Sequence, residues 1–305
     1  MKKICLLIML LSLTGCHKQT NTLPQTSSMS ILTSLTATEL LTETLVAGTG
    51  IRTILTVPAT YSMNSHARYF KKHTAQFNEQ AANAAACVTI RSIWNHDDLY
   101  PYARRANVRI VEIDGAAPID KMQAGVKLIK EVNGKISPYI WRSPGNLTKM
   151  ADFISKDLMS LYPDHTLQIE SNLKSLKQGL FKLRTNYESR LIELESVEVI
   201  SLTGDFAYLI SEFGIDEVDS FQKQQIDWDD SDIAALGESI RENEIKAVIC
   251  NRMPQDRIHE VIVSNGAKPV VLTTLTKMDS TDDGAKNRLL KLYSGNLDLI
   301  CKGLK

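Results

Sequence analysis

Residues 164–195 have the sequence DHTLQIESNLKSLKQGLFKLRTNYESRLIELE, in which apolar side chains recur at spacings of mostly three or four. The recurring positions are Leu167, Leu173, Leu176, Leu180, Leu183, Tyr187, Leu191 and Leu194. This spacing predicts one amphipathic helix of about 30 residues, with a length of about 45 Å. Most helices of globular proteins are shorter, so we expect a rod that joins two separate parts of the chain.

Strand patterns and helix patterns alternate on both sides of this rod. Runs that predict strands occupy residues 30–35, 51–57, 87–93 and 108–113 before it, and residues 197–202, 245–250 and 269–273 after it. Helical patterns separate them, and residues 68–84 form one of these. Such alternation favours parallel βαβ units. We therefore predict an α/β fold with mostly parallel sheets in two βα lobes, residues 30–163 and 197–305, joined by one long backbone helix, residues 164–196.

The N-terminus has the pattern of an export signal. Two lysines precede an apolar run, residues 4–11, which is too short to cross a membrane core of about 30 Å. The sequence Leu-Thr-Gly-Cys that ends at Cys16 resembles the lipobox of bacterial lipoproteins, in which the cysteine becomes the lipid-bearing N-terminus. We expect a signal peptide at residues 1–15, lipidation of Cys16 and a polar tether at residues 16–29. An ordinary secreted protein with a chance cysteine is the alternative.

Charge and composition exclude several classes of function. Lysine plus arginine equals aspartate plus glutamate at 35 each, so no excess of positive charge points to nucleic acid. The chain lacks Gly-x-Ser-x-Gly, a glycine-rich phosphate loop and His-Glu-x-x-His, so an enzyme is not expected. The remaining expectation is a monomeric, extracytoplasmic receptor for a small solute, held on a membrane in the periplasm or at the cell surface.

Several motifs together resemble the solute-binding proteins of ABC importers for zinc and manganese. Val57-Pro58 ends a predicted strand and leads into a loop that reaches His66. Residues 138–146, PYIWRSPGN, are similar to a family segment in which a histidine follows the first proline. Residues 201–209 resemble a family segment that begins at a strand, and residues 240–255 resemble a family helix-strand unit with a late Pro-Gln. The resemblance runs from about residue 30 to the C-terminus.

The resemblance implies a receptor that passes its cargo to an ABC permease with an associated ATPase. The cargo it implies is one divalent ion, manganese, zinc or iron, and no other cofactor is expected. Zinc-specific members often carry one cysteine in a late strand and another near the C-terminus. Cys250 and Cys301 match that arrangement, so the resemblance implies a disulfide between them. Cys87 is expected to be a buried small apolar residue.

The expected metal ligands are mostly absent from this chain. Family members supply three imidazole or carboxylate ligands and an aspartate, and the matching positions are Asn64, Tyr139, Thr203 and Asp279. Amide, neutral phenol and hydroxyl groups are poor zinc ligands. One carboxylate offers little charge to offset the dehydration of a dication. We therefore expect weak metal binding, or none, at the inherited position.

Two residues near these positions offer an alternative ligand set. His66 lies two residues from Asn64, and Asp205 lies two residues from Thr203. Together with Asp279 they would form a carboxylate-rich site suited to manganese or iron. The interpretation that we favour is a surface loop histidine at position 66 and a helix N-terminal acid at position 205.

A second class of function stays open. A relative that kept the fold and lost the metal would act as a surface interaction module or would bind a non-metal solute. In that case Asn64, Tyr139, Trp141 and Thr203 would line a neutral cleft between the lobes. Ligands of open α/β sheets bind at the carboxyl ends of the strands, which is where these residues are predicted to lie.

Overall fold

A computed structural model describes residues 29–118, 124–131, 134–275 and 284–305. The strands are β1 Ser30–Thr33, β2 Arg52–Leu55, β3 Ala86–Thr89, β4 Val111–Asp114, β5 Glu198–Ser201, β6 Asp216–Ser220, β7 Ala247–Cys250 and β8 Lys268–Val271. The helices are α1 Thr36–Val46, α2 His66–Lys72, α3 Thr74–Ala82, α4 Leu99–Ala106, α5 Pro144–Leu161, α6 Thr166–Ile192, α7 Ala207–Glu212, α8 Asp230–Glu242, α9 Asp256–Ser264 and α10 Gly284–Gly303.

The strands form two parallel sheets with the same internal order. The first sheet has the order β2-β1-β3-β4, and the second has the order β6-β5-β7-β8. Each neighbouring pair is parallel. The predicted fold class, two βα lobes with a long helix between their sheets, is confirmed. The boundaries proposed for the lobes stay a prediction.

The rod is one continuous helix, α6, of 27 residues. Ile169, Leu176, Leu180, Tyr187 and Leu191 are its buried residues, at spacings of seven, four, seven and four. Such spacings keep side chains on one face of a helix. The predicted face was wrong at one position, since Leu167 is 83 % exposed. At about 100° per residue, nine residues place Leu167 on the side opposite Leu176.

Both lobes share one apolar core. It contains Ile31 of β1 and Ile249 of β7. Three helices, α1, α6 and α10, pack against one another between the two sheets, and the buried face of α6 belongs to this core. Polar contacts fix the helices to one another. The Asn172 side chain on α6 donates to the carbonyl oxygens of Leu45 and Ala47 at 2.9 Å each, at the end of α1. A continuous core across the interface limits the movement of one lobe against the other.

Separate apolar clusters cover the outer face of each sheet. In the N-terminal lobe this layer consists of α2, α3 and α4, and in the C-terminal lobe it consists of α8 and α9. The helix predicted at residues 68–84 is divided in two at His73, which leaves the helical conformation with φ −112° and ψ 30°. Strand β6 was not predicted, because its sequence DEVDS is acidic and half exposed at the edge of its sheet.

The expected disulfide does not form in the structure, where Cys250 and Cys301 are both free thiols. Cys250 packs in the outer cluster of the C-terminal lobe, and its Sγ lies 3.5 Å from the carbonyl oxygen of Val270. Cys301 lies in the shared core with Ile249. Successive side chains of a strand point to opposite faces, so Cys250 points away from the face that α10 covers. Cys87 is fully buried, as predicted.

Some predictions fall on residues outside the described ranges. They are the signal peptide, the lipidated Cys16, most of the tether and Asp279. Within the described ranges, no helix combines the length and the apolar character that crossing a membrane requires.

We expect Leu176→Ala to lower the free energy of unfolding by about 2–5 kcal/mol, because Leu176 is fully buried where α6 meets both lobes. Leu167→Ala removes the same atoms from the exposed side of the same helix. It should change the free energy of unfolding by less than about 0.5 kcal/mol. Urea-induced unfolding measures both values. Equal losses in the two variants would contradict the packing described for α6.

Candidate functional site

A cleft of about 390 Å³ lies between the lobes, at the carboxyl ends of the strands. Ser34 follows β1 and Pro58 follows β2, and both line it from the N-terminal lobe. Asn251 follows β7 and Thr274 follows β8, and both line it from the C-terminal lobe. The cleft therefore lies where open parallel sheets commonly bind ligands.

Most of the predicted cleft residues lie together. His66, Tyr139, Trp141 and Asp205 line the cleft. Thr203 lines an adjoining side cavity of about 370 Å³, which shares Tyr139 and Asp205 with the cleft. Five side chains that were chosen from three segments of the sequence thus line the cleft or the cavity beside it.

Two predicted residues are not part of this group. Asn64 is exposed in a single 3-10 turn, Met63–Ser65, and is not among the residues that line the cleft. Its neighbours Met63 and His66 line the cleft instead. Asp279 lies outside the described residues. Asn64 is therefore a wrong prediction for the lining, whereas His66, two residues later, lies in it.

Protein groups surround the carboxylate of Asp205. The Asn251 side chain donates to its Oδ2 at 2.9 Å, and Nη1 of Arg142 lies 3.7 Å from the same oxygen. Arg142 also donates to the main-chain oxygen of Asp205. Thr203 Oγ1 accepts from the Asp205 main-chain N–H at 3.2 Å, which is the contact of a residue that caps a helical turn. The prediction of a helix N-terminal acid at this position is confirmed.

The guanidinium of Arg142 is the fixed positive charge of the site. It lies 4.5 Å from the centre of the Tyr139 ring and 4.5 Å from the centre of the Phe206 ring. Its side chain is only 10 % exposed. Burial lowers the pKa of Arg142 from its ordinary value, and Asp205 opposes that effect. Arginine stays protonated in proteins, so Arg142 keeps its positive charge beside this carboxyl group.

This arrangement is poorly suited to a dication. Burial first, and the charge of Asp205 second, raise the pKa of Tyr139, so its phenol stays neutral. Asp205 is already paired with the guanidinium of Arg142. This guanidinium would repel a metal cation bound to the same carboxylate oxygen. Among the residues that the structure describes, no three histidine, cysteine, aspartate or glutamate side chains lie close enough to hold a metal ion.

His66 is a buried cleft residue, and its interpretation as a surface loop histidine was wrong. It is 3 % exposed at the start of α2, and its ring meets the edge of Trp94 with 5.4 Å between the ring centres. Burial lowers the pKa of His66 to about 4, so its imidazole is neutral near pH 7. Its Nδ1 has no hydrogen-bond partner within the described part of the chain. A neutral imidazole whose ring nitrogen has no partner can accept or donate a hydrogen bond there.

The cleft residues that were not predicted include Arg142, Asn251 and Arg252. Arg142 follows Trp141 directly in the sequence, but no pattern distinguishes it from a surface arginine. Asn251 and Arg252 come directly after the buried run Ala247–Cys250. Polar residues directly after a buried strand are a usable signal, because such positions lie at the ligand-binding edge of a parallel sheet.

The profile of a protein family described as ZnuA, zinc-uptake complex component A, periplasmic, matches residues 92–303. This match covers more than half of the chain. The protein belongs to the ZnuA family. Members of this family are solute-binding receptors of transport systems and not enzymes; they lie outside the cytoplasm and work with an ABC permease and its ATPase. The family predicted from the sequence is thereby confirmed.

Individual relatives of the ZnuA family are distant. The high-affinity zinc uptake system protein ZnuA of Bacillus subtilis is 24 % identical over 168 residues, 54 % of this chain and 52 % of the relative. The match therefore spans about half of that protein.

Solved structures share the fold, among them the following two. FpvC of Pseudomonas aeruginosa in complex with Mn²⁺ is 16 % identical with a TM-score of 0.68, covering 90 % of this chain and 98 % of that one. The Zn(II)-bound ZnuA-like domain of Streptococcus pneumoniae AdcA is 17 % identical with a TM-score of 0.67, and the match covers 90 % of this chain and 97 % of that domain. At these identities the likeness establishes the ZnuA-type fold and leaves the ligand to the residues of the cleft.

We expect His66 to make this ZnuA-family protein less stable in acid. The folded pKa is about 4 and the ordinary value is 6.5, so the stability that depends on neutral His66 is complete above pH 6.5. It is lost as the pH falls from 6.5 to about 4, because the unfolded chain takes up the proton first. The free energy of unfolding falls by about 3 kcal/mol in total, because each unit of pKa difference corresponds to about 1.4 kcal/mol.

Urea-induced unfolding at pH 7, 5.5 and 4 measures this loss. His66→Phe keeps a ring against Trp94 but cannot be protonated, so its free energy of unfolding should fall less than that of the wild-type protein. His96 is exposed, and the His96→Phe variant should lose as much free energy of unfolding in acid as the wild-type protein does. Parallel curves for His66→Phe and the wild type would show that His66 does not titrate in this way.

Proposed function

We propose that this protein is a lipid-anchored receptor of an ABC importer with an altered ligand site. Membership of the ZnuA family supports the receptor role and the partnership with a permease and an ATPase. The lipobox-like sequence at Cys16 supports the anchor. A body of two lobes on a tether captures its solute outside the cytoplasm and remains near the membrane that holds the permease.

The observation that carries the altered site is the pairing of Asp205 with Arg142. In this arrangement the cation that neutralises the acidic side chain belongs to the protein. Tyr139 and Thr203 occupy two of the positions at which ZnuA-like proteins are expected to supply metal ligands, and both are neutral. The geometry therefore favours a non-metal solute over a dication held by His66, Asp205 and Asp279.

Metal titration decides between these two cargoes. We expect no saturable binding of Mn²⁺ or Zn²⁺ to the full-length protein in isothermal titration up to about 1 mM. Arg142→Gln frees the carboxylate of Asp205 and should raise the affinity for Mn²⁺ by about tenfold or more, which corresponds to about 1.4 kcal/mol. Arg184→Gln removes an exposed guanidinium on α6 and should leave the affinity unchanged.

One result would restore the metal receptor, namely stoichiometric manganese or zinc in protein purified without a chelator, lost in Asp279→Ala. An Arg142→Gln variant, folded like the wild type, that binds Mn²⁺ no better than the wild type does would contradict the role given to Arg142. Thermal unfolding of each variant serves as the check on folding.

We expect Cys16→Ser to release the protein from the membrane fraction of the producing cells. Each buried methylene group of an acyl chain contributes about 0.8 kcal/mol to membrane binding, so losing the lipid removes the anchor. Cys87→Ser alters a thiol that is buried in the N-terminal lobe, and the protein should stay with the membrane. Immunoblots of separated membrane and soluble fractions measure the outcome. Membrane retention of Cys16→Ser would argue against lipidation at this residue.

A further inference from the structure

The acidic and basic residues that line the cleft carry charges that do not sum to zero. Among the described residues they are His66, Arg142, Asp205 and Arg252. Asp205 is paired with Arg142, and His66 is 3 % exposed with its ring against Trp94. Arg252 lines both the cleft and the side cavity, and no carboxylate of the described chain lies within 4.0 Å of it. The described lining thus carries one uncompensated positive charge, on an exposed guanidinium.

The N-terminal lobe gives the cleft an apolar wall, formed by Leu35, Ala37, Pro58 and Met63, with the polar side chains of Ser34, Thr36 and Ser62 beside it. Leu275 adds an apolar side chain from the C-terminal lobe. A hydrated or coordinated dication gains nothing from such a wall, because its ligands are oxygen, nitrogen or sulfur atoms. An organic molecule gains from contact with it in proportion to the apolar area that it removes from water.

The size of the cleft also fits an organic ligand. Its volume is about 390 Å³, within the range of about 300–1,000 Å³ that is typical of small-molecule sites. Such sites combine apolar walls with a few polar groups that orient the ligand. Here Arg252 offers a planar set of donors that matches a carboxylate or a phosphate.

We propose that the cleft binds a small organic anion, with its oxyanion group on Arg252 and its apolar body against Leu35, Pro58 and Met63. This inference rests on the proposed receptor function and names the class of its cargo. The two lobes contribute different parts of the recognition, since Arg252 follows β7 and the apolar wall follows β1 and β2. A ligand of this class therefore bridges the lobes, and binding couples them directly.

The test compares two probes of nearly equal shape, 3-phenylpropionate and 3-phenylpropionamide, by isothermal titration against the full-length protein. We expect the acid to bind with one-to-one stoichiometry and the neutral amide to bind about tenfold or more weakly, because a hydrogen bond to a charged group is worth more than a neutral one. Phenyl phosphate, as a third probe, shows whether Arg252 prefers a phosphate to a carboxylate.

Arg252→Gln supplies the matching change in the protein. It should weaken the binding of the acid about tenfold or more and leave the binding of the amide almost unchanged. Arg257→Gln is the control, since Arg257 is an exposed arginine of the same lobe that lines neither cavity. Equal binding of acid and amide, or an equal loss in both arginine variants, would overturn the role of Arg252.

Failure of this inference differs from failure of the receptor function. If neither 3-phenylpropionate nor phenyl phosphate binds, while the protein co-purifies with an ABC permease and its ATPase from the membrane, the anion inference is wrong and the receptor function stands. If the anions bind and no permease or ATPase accompanies the protein, the cleft chemistry is supported and the importer partnership is wrong.

Discussion

The packing of α6 against both lobes is the constraint on which the rest of the structure depends. One face of this helix, from Ile169 to Leu191, is buried in a core to which both sheets contribute. A wide separation of the lobes would expose that core to water, at a cost of about 25 cal/mol for each Å² of apolar surface. The carboxyl ends of the two sheets are therefore held opposite each other, and the cleft between them persists as part of the fold.

The segment Ile140–Arg142 connects this framework to the chemistry of the cleft. Trp141 accepts a hydrogen bond at its main-chain oxygen from the Tyr293 hydroxyl of α10. The next residue, Arg142, reaches into the C-terminal lobe and contacts both Phe206 and Asp205. An arginine that is buried between two aromatic rings and paired with a carboxylate is held in one position. The protein thereby places a permanent cation beside the acid that a metal would need.

Family membership and ligand chemistry thus point in different directions. The fold and the profile match are those of the ZnuA family, whereas the described cleft holds a neutral imidazole, a neutral phenol and an internal ion pair. A fold constrains where a ligand binds, and the side chains at that place determine what binds. Arg252, which has no ion-pair partner among the described residues, and the apolar wall that includes Leu35 and Met63 give this cleft an organic rather than an ionic character.

The sequence by itself determined the fold class, the long helix and the strand ends at which the ligand site lies, because hydrophobic periodicity and strand–helix alternation are local signals. It also indicated His66, Tyr139, Trp141 and Asp205. Only the tertiary structure decided their environments: the burial of His66, the exposure of Leu167 and the opposite sheet faces of Cys250 and Cys301. It alone brought Arg142 to Asp205, because contacts between residues 63 positions apart depend on how the lobes pack.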